Sequence, residues 1–170
     1  KIALVTGSAG GIGKAIAKKF VEEGACVILS DNDPGRLQEA VQEFTSQYGK
    51  DSFASATMDV TKGEEITQSL KVACLAFGGV DIVVNNAGIS ISKPIEEHTE
   101  KDWDLLYDIL VKGQFLVTQA SVSTMRKQAL GGDVINIVSK NALVSGPNNA
   151  GYGSAKAAQL HLSRLNAAEL

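Results

Sequence analysis

Five apolar runs, separated by stretches of helical periodicity, constrain the fold of this chain more than any single motif. The runs are residues 1–6 (KIALVT), 25–30 (ACVILS), 53–58 (FASATM), 80–84 (VDIVV) and 134–138 (VINIV). Residues 14–23, 34–48, 63–77 and 100–128 read as the helices between them, and a last helix runs from about Tyr152 to the end. Strands that are apolar throughout are buried on both faces, as in a parallel sheet covered by helices on each side. The expected fold is a doubly wound α/β domain, a Rossmann-type three-layer α/β/α arrangement over residues 1–170. A complete sheet of this kind has about six strands. The domain is therefore expected to lack its last strands and to be incomplete at its C-terminus.

Composition narrows the classes without choosing among them. Hydrophobic residues make up 44% of the chain and charged residues 21%, with a net charge of −3. That balance gives no reason to expect nucleic acid or an anionic membrane as partner, and no run approaches the ~20 apolar residues of a membrane span. The chain opens directly on a strand, so no signal peptide is read and a cytoplasmic protein is expected. Cys26 and Cys74 lack metal-ligand spacing and are expected to be buried, reduced core residues. His98 and His161 stand alone, so no metal is expected. Trp103, at the start of an amphipathic helix, reads as packing.

A glycine-rich turn, Gly7 to Gly13 (GSAGGIG), follows the first strand and opens the first helix. Unpaired N–H groups at a helix start favour an anion, and glycine lets a phosphate approach the backbone. Asp31 closes the second strand, eighteen residues after Gly13. A carboxylate there accepts hydrogen bonds from ribose hydroxyls and repels a 2′-phosphate, which points to NAD rather than NADP. Asp59, after the third strand, and the run Asn85-Asn86-Ala87-Gly88, after the fourth, also lie at C-terminal strand ends. An open α/β sheet places its ligand there, although both are also ordinary turn chemistry.

Ser139 closes the fifth run, which reads as a buried strand. Tyr152 follows thirteen residues later, and Lys156 four residues after that. On a helix, Tyr152 and Lys156 share one face, a turn apart. A strand-end hydroxyl would then face a phenol and an ammonium, a geometry suited to moving a proton to or from an oxygen. A free phenol, with a pKa of about 10, is too weak an acid to act as a base at neutral pH. A nearby cation favours the phenolate.

Together, the glycine turn after Thr6, Asp59-Val60, Asn85-Asn86-Ala87-Gly88, Ser139 and Tyr152-Gly153-Ser154-Ala155-Lys156 resemble the short-chain dehydrogenase/reductase family, in its order and spacing. The resemblance implies an NAD-dependent oxidoreductase that moves a hydride between nicotinamide and a small alcohol or aldehyde. It implies that Ser139, Tyr152 and Lys156 are catalytic, and that Tyr152 and Lys156 also meet the cofactor. It places Gly7, Ser8, Gly11, Ile12, Gly13 and Asp31 against the dinucleotide. Asp59 and Val60 would meet its adenine, and Asn86, Ala87 and Gly88 would pass beside it. Lys140 and Asn141 would flank the substrate. The helices 100–128 and after Tyr152 are those through which the family commonly pairs into homodimers or homotetramers.

A narrower likeness rests on Ser139-Lys140-Asn141-Ala142-Leu143-Val144, Gly146-Pro147-Asn148-Asn149-Ala150 and Ala157-Ala158 with Leu160-His161-Leu162. These resemble the dehydrogenase domain of bifunctional rhamnulose-phosphate aldolase/alcohol dehydrogenases. That likeness implies a lactaldehyde substrate from rhamnose breakdown and fusion to an upstream aldolase domain. One residue departs from the wider family: Leu110 stands where the family usually has an asparagine thought to hold a relay water. Leu110 favours a competing expectation, a dinucleotide-binding scaffold or sensor without turnover. The Ser139-Tyr152-Lys156 set favours the enzyme.

Overall fold

The computed structural model describes residues 1–144 and 146–170. Five strands, β1 (Ile2–Thr6), β2 (Cys26–Asp31), β3 (Phe53–Thr57), β4 (Ile82–Asn85) and β5 (Asp133–Asn136), form one sheet in the order β3-β2-β1-β4-β5. Every pairing is parallel. The helices are α1 (Gly11–Glu22), α2 (Pro34–Tyr48), α3 (Gly63–Phe77), α4 (Glu100–Tyr107), α5 (Gly113–Gln128) and α6 (Ala150–Glu169).

Alternate residues of the central strands supply two cores. Ala3, Val5, Val27 and Leu29 meet Ala17 of α1 and Leu37, Ala40 and Phe44 of α2. Leu4, Ile28 and Val83 meet Ile66, Leu70 and Ala73 of α3 and Val117 and Met125 of α5. The central strands are apolar throughout because both faces are covered. No helix among the described residues is long and apolar enough to cross a membrane.

The helices expected over 34–48 and 63–77 are present with those bounds. Asp33 caps α2 by accepting from the Gly35 and Arg36 N–H groups, with Pro34 at the first helical position. Other expectations change. The helix expected from residue 14 begins at Gly11, because the end of the glycine turn is already helical. The single helix expected over 100–128 is interrupted by a π-helical turn, Asp108–Lys112, in which the Gly113 N–H reaches back five residues to the Asp108 carbonyl. Trp103 stacks on Tyr107 at 4.7 Å just before that turn and remains 43% exposed.

Within residues 1–170, β5 pairs only with β4 and shows alternating exposure, with Ile135 41% exposed. Cys26 is half-buried and Cys74 is exposed, which corrects the expectation of two core thiols. The buried stripe of α3 runs through Ile66, Ser69, Leu70 and Ala73 and leaves Cys74 outside.

At the C-terminal edge of the sheet, one hydroxyl joins three segments. Thr6 Oγ1 donates to the Val84 carbonyl at 3.3 Å and accepts from the N–H groups of Asn86 at 3.0 Å and Ala87 at 2.9 Å. The Asn86 amide returns to the carbonyls of Thr6 at 2.9 Å and Gly7 at 3.1 Å. Beside it, Asn85 donates to Thr118 of α5 at 3.0 Å and to Asn136 of β5 at 2.8 Å. Thr6→Val keeps the shape of the side chain but leaves two N–H groups without their acceptor. It should destabilise the protein by about 2–4 kcal/mol in urea unfolding, and Thr6→Ser should recover most of that loss.

Candidate active site

A cleft of about 710 Å³ opens at the C-terminal ends of β1, β2 and β4. Its floor is the glycine turn. A Cβ at Gly13 would run into the Gly7 carbonyl and the Asn86 amide, so the first turn of α1 packs against the Asn86 segment only without a side chain there. Gly7, Gly11, Asn86 and Gly88 line the cleft, and Ile12 beside them is 63% exposed. Ala87, whose N–H is held by Thr6, lies between Asn86 and Gly88. Ser8 is different, because it is fully buried. Its hydroxyl accepts from the Ser30 N–H at 2.7 Å and lies 3.3 Å from the Ser30 carbonyl. The Ser8 N–H also donates to the Ser30 carbonyl at 2.9 Å, so side chain and backbone both tie the turn to β2 and neither is free for a ligand.

Asp31 lines the cleft but is only 8% exposed. Its Oδ2 accepts from the Ala9 N–H at 3.2 Å and its Oδ1 from the Asp33 N–H at 3.1 Å. The carboxylate therefore fixes the turn to the end of β2 and keeps its remaining lone pairs for a ligand hydroxyl. At the far wall, burial of Asp59 works against its ionisation. The Thr61 N–H and hydroxyl, both bonded to Oδ1, outweigh burial and hold the carboxyl below its usual range. Val60 is buried beside it and lines the same wall. These residues present the glycine turn, a carboxylate with unused lone pairs and a wall of Asp59 and Val60 in one cleft, a set that fits a dinucleotide.

Ser139, Tyr152 and Lys156 stand where the fifth strand's exit meets α6. Lys156 is 5% exposed, and its Nζ donates to the Ile137 carbonyl at 3.0 Å. The same Nζ lies 5.8 Å from the centre of the Tyr152 ring. No carboxylate forms an ion pair with Lys156 among the described residues, and burial pushes its pKa down to about 8. Ser139 Oγ accepts from the Asn141 N–H at 3.2 Å as the chain turns into a short 3₁₀ segment, Lys140–Ala142. That bond uses an acceptor site on the hydroxyl and leaves its O–H free to donate to a substrate oxygen.

The structure thus brings Ser139, Tyr152 and Lys156 to one corner. Tyr152 shares a small apolar cluster with Ile89, Ile91, Leu106, Leu110 and Ala155. Ile89 also lines the cleft, so the cluster connects the two halves of the site. Of the expected substrate-flanking pair, Lys140 is exposed, while Asn141 lines a separate hollow of about 310 Å³ with Asn149 and Ser154. Leu110 is fully buried in the π turn, against Gly88 and next to Ala155.

Several residues escaped the sequence reading. Thr6 organises the strand ends, and its only sequence signal was its place just before the glycine turn. Ile89 and Asp108 line the cleft but carry no motif, because loop and π-turn geometry bring them there. His98 packs near Gly151 with both ring nitrogens buried and without partners among the described residues. His161 is exposed on α6.

Comparison with known proteins agrees with this geometry. The family model for short chain dehydrogenase matches residues 1–170. The uncharacterized oxidoreductase YuxG of Bacillus subtilis (strain 168) is 42% identical over 169 residues, which cover 99% of this chain and 24% of that protein. The uncharacterized oxidoreductase MW2403 of Staphylococcus aureus (strain MW2) is 39% identical over 158 residues, covering 93% of this chain and 66% of that one. The chain thus spans about a quarter to two thirds of the length of these curated relatives. A crystal structure of a short-chain dehydrogenase from Streptomyces avermitilis superposes with a TM-score of 0.89 at 34% identity, covering 99% of this chain and 60% of that one. An alcohol dehydrogenase from the archaeon Thermococcus sibiricus, solved with 5-hydroxy-NADP, gives 0.90 at 28% identity, covering 99% and 71%. With strand order, cleft and sequence in agreement, the chain belongs to the short-chain dehydrogenase family of oxidoreductases.

Proposed function

We propose that residues 1–170 form the dinucleotide-binding and catalytic domain of an NAD-dependent dehydrogenase acting on a small alcohol or aldehyde. The observation that carries the reading is the Lys156 ammonium. It is buried on a single carbonyl, one helical turn from Tyr152, whose apolar cluster includes Ile89 of the cleft that fits a dinucleotide. A nicotinamide bound there supplies or accepts the hydride. The 5-hydroxy-NADP of the Thermococcus structure supports a nicotinamide dinucleotide as the ligand. The choice of NAD rests on Asp31 at the ribose end.

Each residue has one task in this scheme. Ser139 donates its free O–H to the substrate oxygen and stabilises charge developing on it. Tyr152 takes the proton from an alcohol or returns it to a carbonyl. Lys156 favours the phenolate through its charge. The glycine turn, Asp31, Asp59, Val60 and the Asn86-Ala87-Gly88 segment hold the cofactor. Leu110 offers no side-chain partner for a water behind Lys156. The π turn shifts the helix hydrogen-bond register there, which frees a backbone carbonyl to take that part.

For the substrate we favour lactaldehyde, in a protein that carries an aldolase domain upstream and assembles as a homodimer or homotetramer. Support comes from the run from Ser139 to Ala150 and from the Bacillus relative, of which the match covers only 24%. A hydrated aldehyde offers Tyr152 a hydroxyl on the carbon that loses the hydride, which would give an acid. The alternative reaction, with the reduced cofactor as hydride donor and Tyr152 as proton donor, reduces the free aldehyde to a diol.

Assaying NADH production by the full-length protein with lactaldehyde and other small hydroxy-aldehydes and alcohols tests the reading. Tyr152→Phe should lower turnover at least about a hundredfold while leaving NAD affinity within roughly twofold. No turnover in the wild type across that panel would instead favour a binding scaffold.

Lys156 sets a second expectation. In the free protein its charge is lost as pH rises through about 8. The pH profile of kcat/KM, which reports the free enzyme, should therefore fall above about 8. Lys156→Arg, always charged, should show no such descent even if its peak activity is lower. The stability effect has the opposite sign. The folded pKa lies below the ordinary lysine value, so between the two the unfolded chain binds more protons and stability rises with pH. Lys156→Met should thus raise Tm at pH 7, and the gain should shrink toward pH 10.

A further inference from the structure

The chain leaving β4 is held at two points, and only the first has entered the scheme above. There the Ala87 N–H donates to Thr6. Ile89 and Ile91 follow and pack in the apolar cluster that contains Tyr152. The second point is Lys93, whose N–H donates to the Asn148 carbonyl at 3.0 Å. Asn148 takes a left-handed φ of 60°, which asparagine tolerates better than most side chains. It directly precedes Asn149, the N-cap of α6, whose carbonyl accepts from the Gly153 N–H at 2.7 Å. The Lys93 backbone thus sets the isoleucine segment against the first turn of the helix that carries Tyr152.

The Lys93 side chain reaches a third element. Its Nζ donates to Asp102 Oδ2 at 2.8 Å, and the same oxygen accepts from the Thr99 N–H at 3.0 Å and the Thr99 hydroxyl at 2.9 Å. Thr99 Oγ1 accepts in return from the Asp102 N–H at 3.1 Å, which closes the capping box of α4. The bond from Lys93, with those from Thr99, holds the Asp102 carboxyl well below its usual range. α4 carries Leu106, which belongs to the Tyr152 cluster and stands where a Cβ at Gly151 of α6 would lie. The segment after β4, the start of α4 and the turn into α6 therefore meet at one lysine. The pair is part-exposed, with 38% of the lysine side chain and 18% of the aspartate side chain in water, so it adds little to global stability. Its effect is on placement, and small misplacements of a reacting group are costly to rate. We propose that Lys93 is a positioning residue for the reaction. Its ion pair with Asp102 and its backbone bond to Asn148 hold Ile89, Ile91 and the first turn of α6 in register, so that the Tyr152 hydroxyl is presented to the substrate oxygen. The proposal rests on the dehydrogenase reading of this corner and deepens it.

Steady-state kinetics of the full-length protein, with NAD affinity and Tm measured on the same samples, test this. Lys93→Met removes the charge and keeps the backbone N–H. It should lower kcat about tenfold while leaving the Kd for NAD within about twofold and Tm within about 2 °C. Lys93→Arg, which can still pair with Asp102, should keep at least about half of the wild-type kcat. Asp102→Asn retains an oxygen for the Thr99 N–H but loses the charge. It should cost about as much as Lys93→Met, and the double variant should be no slower than either single one. Raising the salt from about 0.05 to 0.5 M should slow the wild type more than Lys93→Met, because salt screens a part-exposed pair. Wild-type kcat in Lys93→Met, or losses that add in the double variant, would overturn the proposal and leave the dehydrogenase reading intact. So would a kcat that falls only in step with Tm or NAD affinity, which is the mark of a general structural role. No turnover in the wild type would overturn both.

Discussion

The hydroxyl of Thr6 is the point on which the strand ends depend. A parallel sheet gives no direct link between the loops leaving adjacent strands, because each loop departs toward its own helix. Here the link is made by a side chain short enough to stay within the sheet edge and polar enough to serve two N–H groups and one carbonyl. The Asn86 amide answers it from the other side. The glycine turn and the Asn86 segment therefore move as one piece. Ser8 and Asp31 extend the same tie to β2. A cleft built this way is shaped before any ligand arrives, which reduces the ordering cost of binding.

The second constraint is how the chain surrounds Lys156 and Tyr152. Apolar residues, Leu110, Ala155 and Ile89, pack around the phenol, and the ammonium has a single carbonyl partner. The π turn is what allows a leucine at this place. By widening one turn of the helix it sets Leu110 against Gly88, which itself has no side chain to compete. The corner around Tyr152 and Lys156 is thus drier than a hydrogen-bonding side chain at residue 110 would make it. A dry corner raises the worth of each remaining polar contact, including the Ser139 donor.

Much of this was legible in the sequence, for physical reasons. The central strands are covered on both faces, so burial wrote β1, β2 and β4 as unbroken apolar runs. Helical periodicity set the bounds of α2 and α3. The pairing of Tyr152 with Lys156 followed from helical spacing alone. What was not legible depends on contacts between distant segments. Nothing local to Cys74 tells which side of α3 it takes. The π turn has no composition of its own; the run Asp108-Ile109-Leu110-Val111-Lys112 reads as ordinary helix. The role of Ser8 was hidden because its partner lies on the next strand.

The stacking of Trp103 on Tyr107 has a practical side. The chain contains one tryptophan. It sits on α4, two residues before Leu105, which lines the cleft, and on the same helix that leads into the π turn. An indole so placed, half in water and half on a phenol ring, gives residues 1–170 a single tryptophan reporter. Its emission watches a helix that borders both the cleft, through Leu105, and the apolar cluster around Tyr152, through Leu106.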